Sequence, residues 1–269
     1  MQTKNRFVPK IGNEETAALP AVEFGGAICV VDREEQVEAA CEELMRQPMI
    51  GFDTETRPSF RPGVMYRVAL LQLSAPERCY LFRLNRIALS KPLLQLLESP
   101  EVLKIGADVA GDLRSLRQLR RFRDGGFVDL QTLAPAWGIE EKSLRKLSAI
   151  VLGKRVSKAQ RLSNWEAATL TPKQQLYAAT DAWVCTEIYR RLLDTPKAAV
   201  PAGPAPVAVS AENAAPAGAE PSDPAAPARS GRRASRRRRS GAARRRSRTP
   251  ETGPTAAAAD SDERKRQER

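Results

Sequence analysis

The feature that most constrains the fold of this chain is a break in composition near Pro196. Upstream, apolar runs alternate with amphipathic stretches, as a packed core requires. Downstream the chain is Ala, Pro, Ser, Gly and Arg, with almost no large apolar residue after Val209. Such a segment cannot bury enough apolar surface to offset the entropy of ordering its backbone, so residues 196–269 are expected to be a disordered basic tail. Residues 1–24 read as an irregular leader. The folded part is then residues 25–195, long enough for a single core.

Charge follows the same break. Of the net +12, residues 196–269 supply +8 from 16 basic and 8 acidic side chains, concentrated in Arg232–Arg248, and residues 1–195 supply +4. Histidine is absent, and the four cysteines, Cys29, Cys41, Cys79 and Cys185, form no CxxC pair. The usual zinc sites and every mechanism that needs an imidazole base are thereby removed. The isolated thiols read as buried free cysteines of a reducing compartment. With no hydrophobic signal core at the N-terminus and no apolar run of membrane-spanning length, the expected location is cytoplasmic, without membrane contact.

Gly26–Val31, Met49–Thr56, Val68–Leu73, Cys79–Leu84 and Val102–Gly106 are apolar runs of strand length, and Pro58–Gly63 reads as loop. Helical spacing or polar punctuation predicts helices over Glu34–Arg46, Lys91–Leu97, Asp108–Arg121, Phe127–Trp137, Leu144–Leu152 and Asn164–Ala168. The clearest start signal is Thr171–Gln174, with Thr at the cap, Pro in the first turn and Gln three residues after the cap; it opens a helix running to about Leu193. Strands come first and helices later, with some alternation. That order predicts an α/β or α+β layered domain, a mixed sheet flanked by helices.

Five polar side chains carry the candidate chemistry. Asp53 and Glu55, in GFDTET, are two apart on a strand and share a face. Two such carboxylates repel unless a cation lies between them, and oxygen ligands suit Mg²⁺ or Mn²⁺. The alternative is a strand end emerging into solvent. Asp112 lies near a helix start, in KIGADVAGD, where Gly106 and Gly111 permit close approach of a backbone or ligand. Asp108, four residues earlier, reads as the N-cap of that helix. Tyr177 and Asp181, in LYAATDA, lie one helical turn apart on one face. The alternative there is a tyrosine at a helix seam with a surface aspartate.

Together, Asp-x-Glu on a strand, Asp on a helix and Tyr-x-x-x-Asp on a late helix resemble the tyrosine-bearing subgroup of the DEDD exonuclease superfamily, to which ribonuclease D and the Werner-syndrome exonuclease domain belong. LLQLS at Leu70–Ser74, KIGADVAGD at Lys104–Asp112 and KAQRLSNW at Lys158–Trp165 add to the likeness, which covers residues 25–195. Asp108 departs from it, being acidic where relatives often carry an amide or another neutral group. The resemblance implies a ribonuclease H-like fold and a metal-dependent 3′–5′ exonuclease with two divalent ions about 3.5–4 Å apart. By the same resemblance Asp53 bridges both ions, Glu55 and Asp181 complete the ion that activates water, Asp112 holds the second, and Tyr177 orients the attacking water.

The expected partner is single-stranded or 3′-overhang DNA or RNA. Phe52 and the Phe60–Arg67 loop are candidates to touch the terminal nucleotides, and Lys158, Arg161 and Trp165 to touch the backbone, with core packing an equal reading for Trp165. The Arg-rich run of the tail predicts sequence-independent contact with phosphates through counterion release. The rival readings are a non-catalytic nucleic-acid-binding protein acting through that tail, and a nuclease of other polarity.

Overall fold

In the computed structural model, which describes residues 7–198, six strands form one mixed sheet. They are β1 (Ala27–Val31), β2 (Met49–Thr56), β3 (Val68–Ser74), β4 (Arg78–Phe82), β5 (Leu103–Gly106) and β6 (Phe127–Asp129), in the spatial order β1-β4-β3-β2-β5-β6. β2, β3 and β4 pair antiparallel with one another in a meander. β1 pairs parallel with β4, β5 with β2, and β6 with β5. The last two pairings are parallel because the chain returns to the sheet through helical crossovers.

Helices cover both faces, as the strand and helix pattern predicts. On one face, α2 (Val37–Met45), α3 (Lys91–Glu98) and α4 (Val109–Leu119) pack Leu44, Leu93 and Leu116 against Phe52, Leu73 and Phe82. On the other lie α6 (Leu144–Leu152) and α7 (Pro172–Leu193), with Ile105, Leu147 and Ile188 in one apolar cluster and Leu70, Leu81 and Trp165 in a second. The start of α7 is the expected capping box, Thr171 accepting from the Gln174 N–H and Gln174 returning a bond to the Thr171 N–H.

The placement of α7 is set by an absent side chain. Gly51, on the face of β2 that meets α7, lies so near the helix backbone that a Cβ there would stand 1.9 Å from the Ala182 carbonyl oxygen. Ala178, Ala179 and Ala182 keep that side of the helix thin, and all three are fully buried.

Four expectations are corrected. Phe127–Trp137 is not one helix: Phe127–Asp129 is β6, followed by α5 (Leu130–Leu133) and a 3₁₀ turn at Ala134–Trp137. Sheet pairing overrides the helical pattern there, since β6 completes the ladder beside β5 and Phe127 packs edge-on to Phe52 at 5.0 Å. Asn164–Ala168 is a turn, because the Asn164 side chain accepts from the Glu166 N–H at 3.1 Å and the buried Arg83 holds the Ala167 carbonyl at 2.6 Å. Over its described residues the leader contains α1 (Asn13–Ala18) and buries Phe7, Val22 and Phe24. Asp108 occupies the N-cap position of α4 but makes no side-chain cap bond. The expected disordered tail lies outside the described residues.

Gly51→Ala is expected to destabilise the protein by at least the ~1–3 kcal/mol typical of overpacking, lowering the melting temperature by roughly 5–10 °C and activity with it. Thermal denaturation followed by circular dichroism checks this. Gly25→Ala, where an added Cβ meets nothing within 4 Å, is the matched control.

Candidate active site

The alternation of β2 sends its side chains to two different places. Asp53 and Glu55 face α7, and the following turn of chemistry comes from that helix, where Tyr177 and Asp181 point back toward the strand. One carboxylate oxygen from each of Asp53, Glu55 and Asp181 lies within 4.8 Å of the others. The register of β2 against β3 shifts between Glu55 and Thr56, so Ala69 is skipped and the strand turns away just past the second acid.

Thr54 points to the opposite face and reaches α4. Its hydroxyl donates to Asp112 Oδ1 at 2.6 Å, which ties the fourth carboxylate to the same strand. The start of α4 is fixed from a distance in sequence. Asp129, at the end of β6, accepts from the Val109 N–H at 3.0 Å and the Asp108 N–H at 3.3 Å, and also from the Gln131 N–H at 2.8 Å. Asp129 therefore does the capping expected of Asp108. Asp108 itself has φ +66°, a left-handed conformation that Asp tolerates better than most residues. Its carboxylate lies over Gly111, where a Cβ would come within 2.8 Å of it.

Burial pushes every acid of the group upward, and repulsion adds to it at Asp53, Glu55 and Asp112. Burial is the largest cause at Asp53, held well above the usual carboxylate range, with Asp181 adding to it. Glu55 is raised to about 10 by burial and then by Asp53, Asp181 and Asp112, with Arg161 opposing. Asp112 is raised to about 8, chiefly by burial and then by Asp53. Asp181 is raised to about 7 by burial, with the neighbouring Tyr177 hydroxyl pulling it back. Burial, followed by Asp181 and Glu55, also raises Tyr177, so the phenol keeps its proton at neutral pH. Asp112 Oδ2 and Asp181 Oδ1 are buried without a hydrogen-bond partner. Closely spaced carboxylates with unpartnered buried oxygens fit a hard divalent cation.

All five residues singled out in the sequence thus fall at the C-terminal end of β2. One further expectation does not hold: Phe52 is fully buried against Phe127 and cannot reach a substrate. Trp165 takes the core-packing role of its two readings, 6.0 Å from the Tyr177 ring. Phe60 and Met65, in the loop after β2, are 79% and 85% exposed. Sequence reasoning missed Thr54 and Asp129. Thr54 is hidden as the middle residue of Asp-x-Glu, and Asp129 lay within a segment read as helix.

The sequence model of the 3′–5′ exonuclease family matches residues 28–195. The mouse bifunctional 3′–5′ exonuclease/ATP-dependent helicase WRN is 34% identical over 65% of this chain, which spans only 13% of that protein's length. A 3′–5′ exonuclease of Arabidopsis thaliana is 30% identical, with 66% of this chain and 68% of the relative aligned. Among solved structures, the exonuclease domain of Aedes aegypti Nibbler superposes with a TM-score of 0.59 at 25% identity, covering 65% of this chain and 92% of that one. The chain that brings these acids together on a ribonuclease H-like sheet belongs to the 3′–5′ exonuclease family of nucleic-acid hydrolases.

Proposed function

We propose that the protein hydrolyses DNA or RNA from the 3′ end with two divalent cations, Mg²⁺ or Mn²⁺, held by Asp53, Glu55, Asp112 and Asp181. The observation that carries this reading is the meeting of four acids from both faces of the sheet, two of them with buried, unpartnered oxygens. Asp53, central on β2, would be shared between the ions; Glu55 and Asp181 would complete one and Asp112 the other. Bound there, divalent cations supply charge neutralisation at the phosphate and lower the pKa of water.

The chain's own groups do the rest. The Tyr177 phenol, protonated at neutral pH, donates to and orients the attacking water and does not serve as its base. The Thr54 hydroxyl fixes one oxygen of Asp112 and leaves the other free. Arg161, whose charge is felt at Glu55, would meet a phosphate of the incoming strand. Exposed Phe60 offers a face on which an unpaired base would stack, with exposed Met65 in the same loop as a further apolar contact. Arg57 joins this loop to the segment before α7, pairing with Glu166 at 3.2 Å and lying 4.7 Å from the Tyr66 ring centre. The Arg232–Arg248 run would add affinity through phosphate contacts without changing the chemistry.

The test is a timed digestion of 5′-labelled single-stranded RNA and DNA in Mg²⁺, Mn²⁺ or EDTA. A metal-dependent ladder shortening from the 3′ end is expected, and the faster substrate names the preferred sugar. Asp53→Ala and Asp181→Ala should each slow cleavage about 10³-fold, equivalent to ~4 kcal/mol of transition-state stabilisation. Full activity in either variant overturns the assignment.

The acids also give the metal-free protein a distinct dependence on pH. Their folded values lie above the unfolded ones, so at neutral pH the native state binds protons that the unfolded chain has released. Stability therefore falls as pH rises from ~4 through the raised values. Asp181→Asn should melt higher than the parent in EDTA, by an amount that grows between pH 5 and pH 8. Added Mn²⁺ should stabilise the parent more than the variant. Differential scanning calorimetry across that range reads both effects, and an unchanged or lower melting temperature for the variant at pH 8 rejects the electrostatic account.

A further inference from the structure

Residues 7–24 precede the segment that the family shares, yet they are built into the catalytic layer. The segment is anchored to the chain around α6: the Glu140 N–H donates to the Pro9 carbonyl at 2.9 Å, Arg155 Nε to the Leu19 carbonyl at 3.0 Å, and the Arg155 N–H to the Pro20 carbonyl at 2.9 Å. The Val22 N–H returns a bond to the Arg155 carbonyl at 3.0 Å. The segment then crosses α7. Val22 belongs to the apolar cluster on one flank of that helix, with Val184 and Ile188, and Phe24 to the cluster on the other, with Ala178 and Ala179.

The crossing point lies between the two catalytic side chains of α7. The Phe24 N–H donates to Thr180 Oγ1 at 3.1 Å, and that hydroxyl donates onward to the Leu176 carbonyl at 2.7 Å. The Phe24 ring also packs on Trp183, centroids 5.9 Å apart. Thr180 follows Tyr177 by three residues and precedes Asp181 by one. Beneath the helix Gly51 removes any side chain between α7 and β2. The turn carrying Tyr177 and Asp181 is therefore held between a strand and a strap.

The packing along one flank is incomplete. Val22 and Glu23 of the strap and Leu176, Tyr177, Thr180 and Asp181 of α7 border a cavity of about 220 Å³. A helix turn bordering such a space has fewer protein contacts on that flank, so it can shift when a neighbouring contact is lost. The Thr180 hydrogen bond and the Phe24 ring are the contacts that resist this movement.

We propose that the N-terminal strap is a positioning element of the active site, with Thr180 as the residue through which it fixes Asp181 and Tyr177 relative to Asp53 and Glu55. The proposal rests on Asp181 and Tyr177 working at the metal site. Thr180 touches neither substrate nor cation in this scheme; it acts through the backbone of α7.

The experiment compares Thr180→Val, which keeps shape and loses the hydroxyl, with Thr180→Ser, which keeps the hydroxyl. Mn²⁺ affinity is measured by calorimetry, exonuclease kcat and KM on a labelled oligonucleotide, and melting temperature in EDTA. The expected result for Thr180→Val is about tenfold weaker Mn²⁺ binding and a kcat about tenfold lower with KM for the oligonucleotide unchanged. Thr180→Ser should restore both. A Thr180→Val protein that melts lower but binds Mn²⁺ and turns over like the parent gives Thr180 a purely structural role and overturns the proposal. If that variant does not fold, Arg155→Ala, which removes the side-chain bond to the Leu19 carbonyl and leaves α7 itself unaltered, takes its place and must weaken Mn²⁺ binding in the same direction. A parent protein that binds Mn²⁺ but cleaves neither nucleic acid would remove the exonuclease reading, while the Mn²⁺ comparison would still decide the role of the strap.

Discussion

The site depends on how near one helix backbone lies to one strand. At Gly51 the Ala182 carbonyl occupies the space a side chain would need, and the alanines of α7 keep the contact thin over successive turns. Carboxylate side chains are short, so four of them converge only if their backbones do. A helix seated on leucines would stand several ångströms further off, and Asp181 would then face Asp53 across a gap too wide for one cation to span. Small residues at this seam are a geometric requirement of the chemistry as well as a packing choice.

The second requirement is that acids from opposite faces of the sheet meet. β5 ends at Gly106, short of the end of β2, and the chain turns there into α4. Gly106 permits the turn, since a Cβ would lie 2.9 Å from the Phe52 carbonyl oxygen and 3.0 Å from Val109. Asp112 then comes round the end of the sheet and is caught by Thr54, whose side chain points away from Asp53 and Glu55. One strand thus serves both faces by its own alternation. Assembling the acids also sets function against stability, because burial raises all of them and repulsion adds to it at Asp53, Glu55 and Asp112. The apolar layers on both sides of the sheet must hold that arrangement together.

Much of this was legible in the sequence, for identifiable reasons. The bounds of β2 and of α7 were readable because strand alternation and the Thr171–Gln174 capping box are local signals. The five site residues were readable because each lies in a short motif on one element. What was hidden depends on contacts between distant segments. Asp129 caps α4 from twenty residues away, so Asp108 took its place in a reading limited to local spacing. Phe127–Asp129 was read as helix because a three-residue edge strand has too few positions to show its period. Phe52 seemed available to substrate because it adjoins Asp53, although alternation sends it to the other face. The leader carries one short helix and is held by its buried Phe7, Val22 and Phe24 and by bonds with Arg155, Glu140 and Thr180, partners that its own residues do not announce.

The distribution of positive charge completes the argument. A lysine among the four acids would neutralise them and compete with a divalent cation for the same oxygens. Lys104 shows how the fold keeps a fully buried ammonium out of the way. It points to the face opposite Asp53, donates to the Leu96 and Ser99 carbonyls at 3.1 and 2.6 Å, and lies 5.0 Å from the Phe127 ring centre. Burial lowers it to about 8, and the carbonyls at the end of α3 satisfy its charge. Arg57 is engaged by Glu166 and Tyr66, and Arg161 acts on Glu55 from the loop before α7. Cations at the margin would attract a polyanion, while Lys104 and Arg57, engaged elsewhere, leave the carboxylate oxygens at the centre to a divalent cation, whose charge would displace the protons they hold.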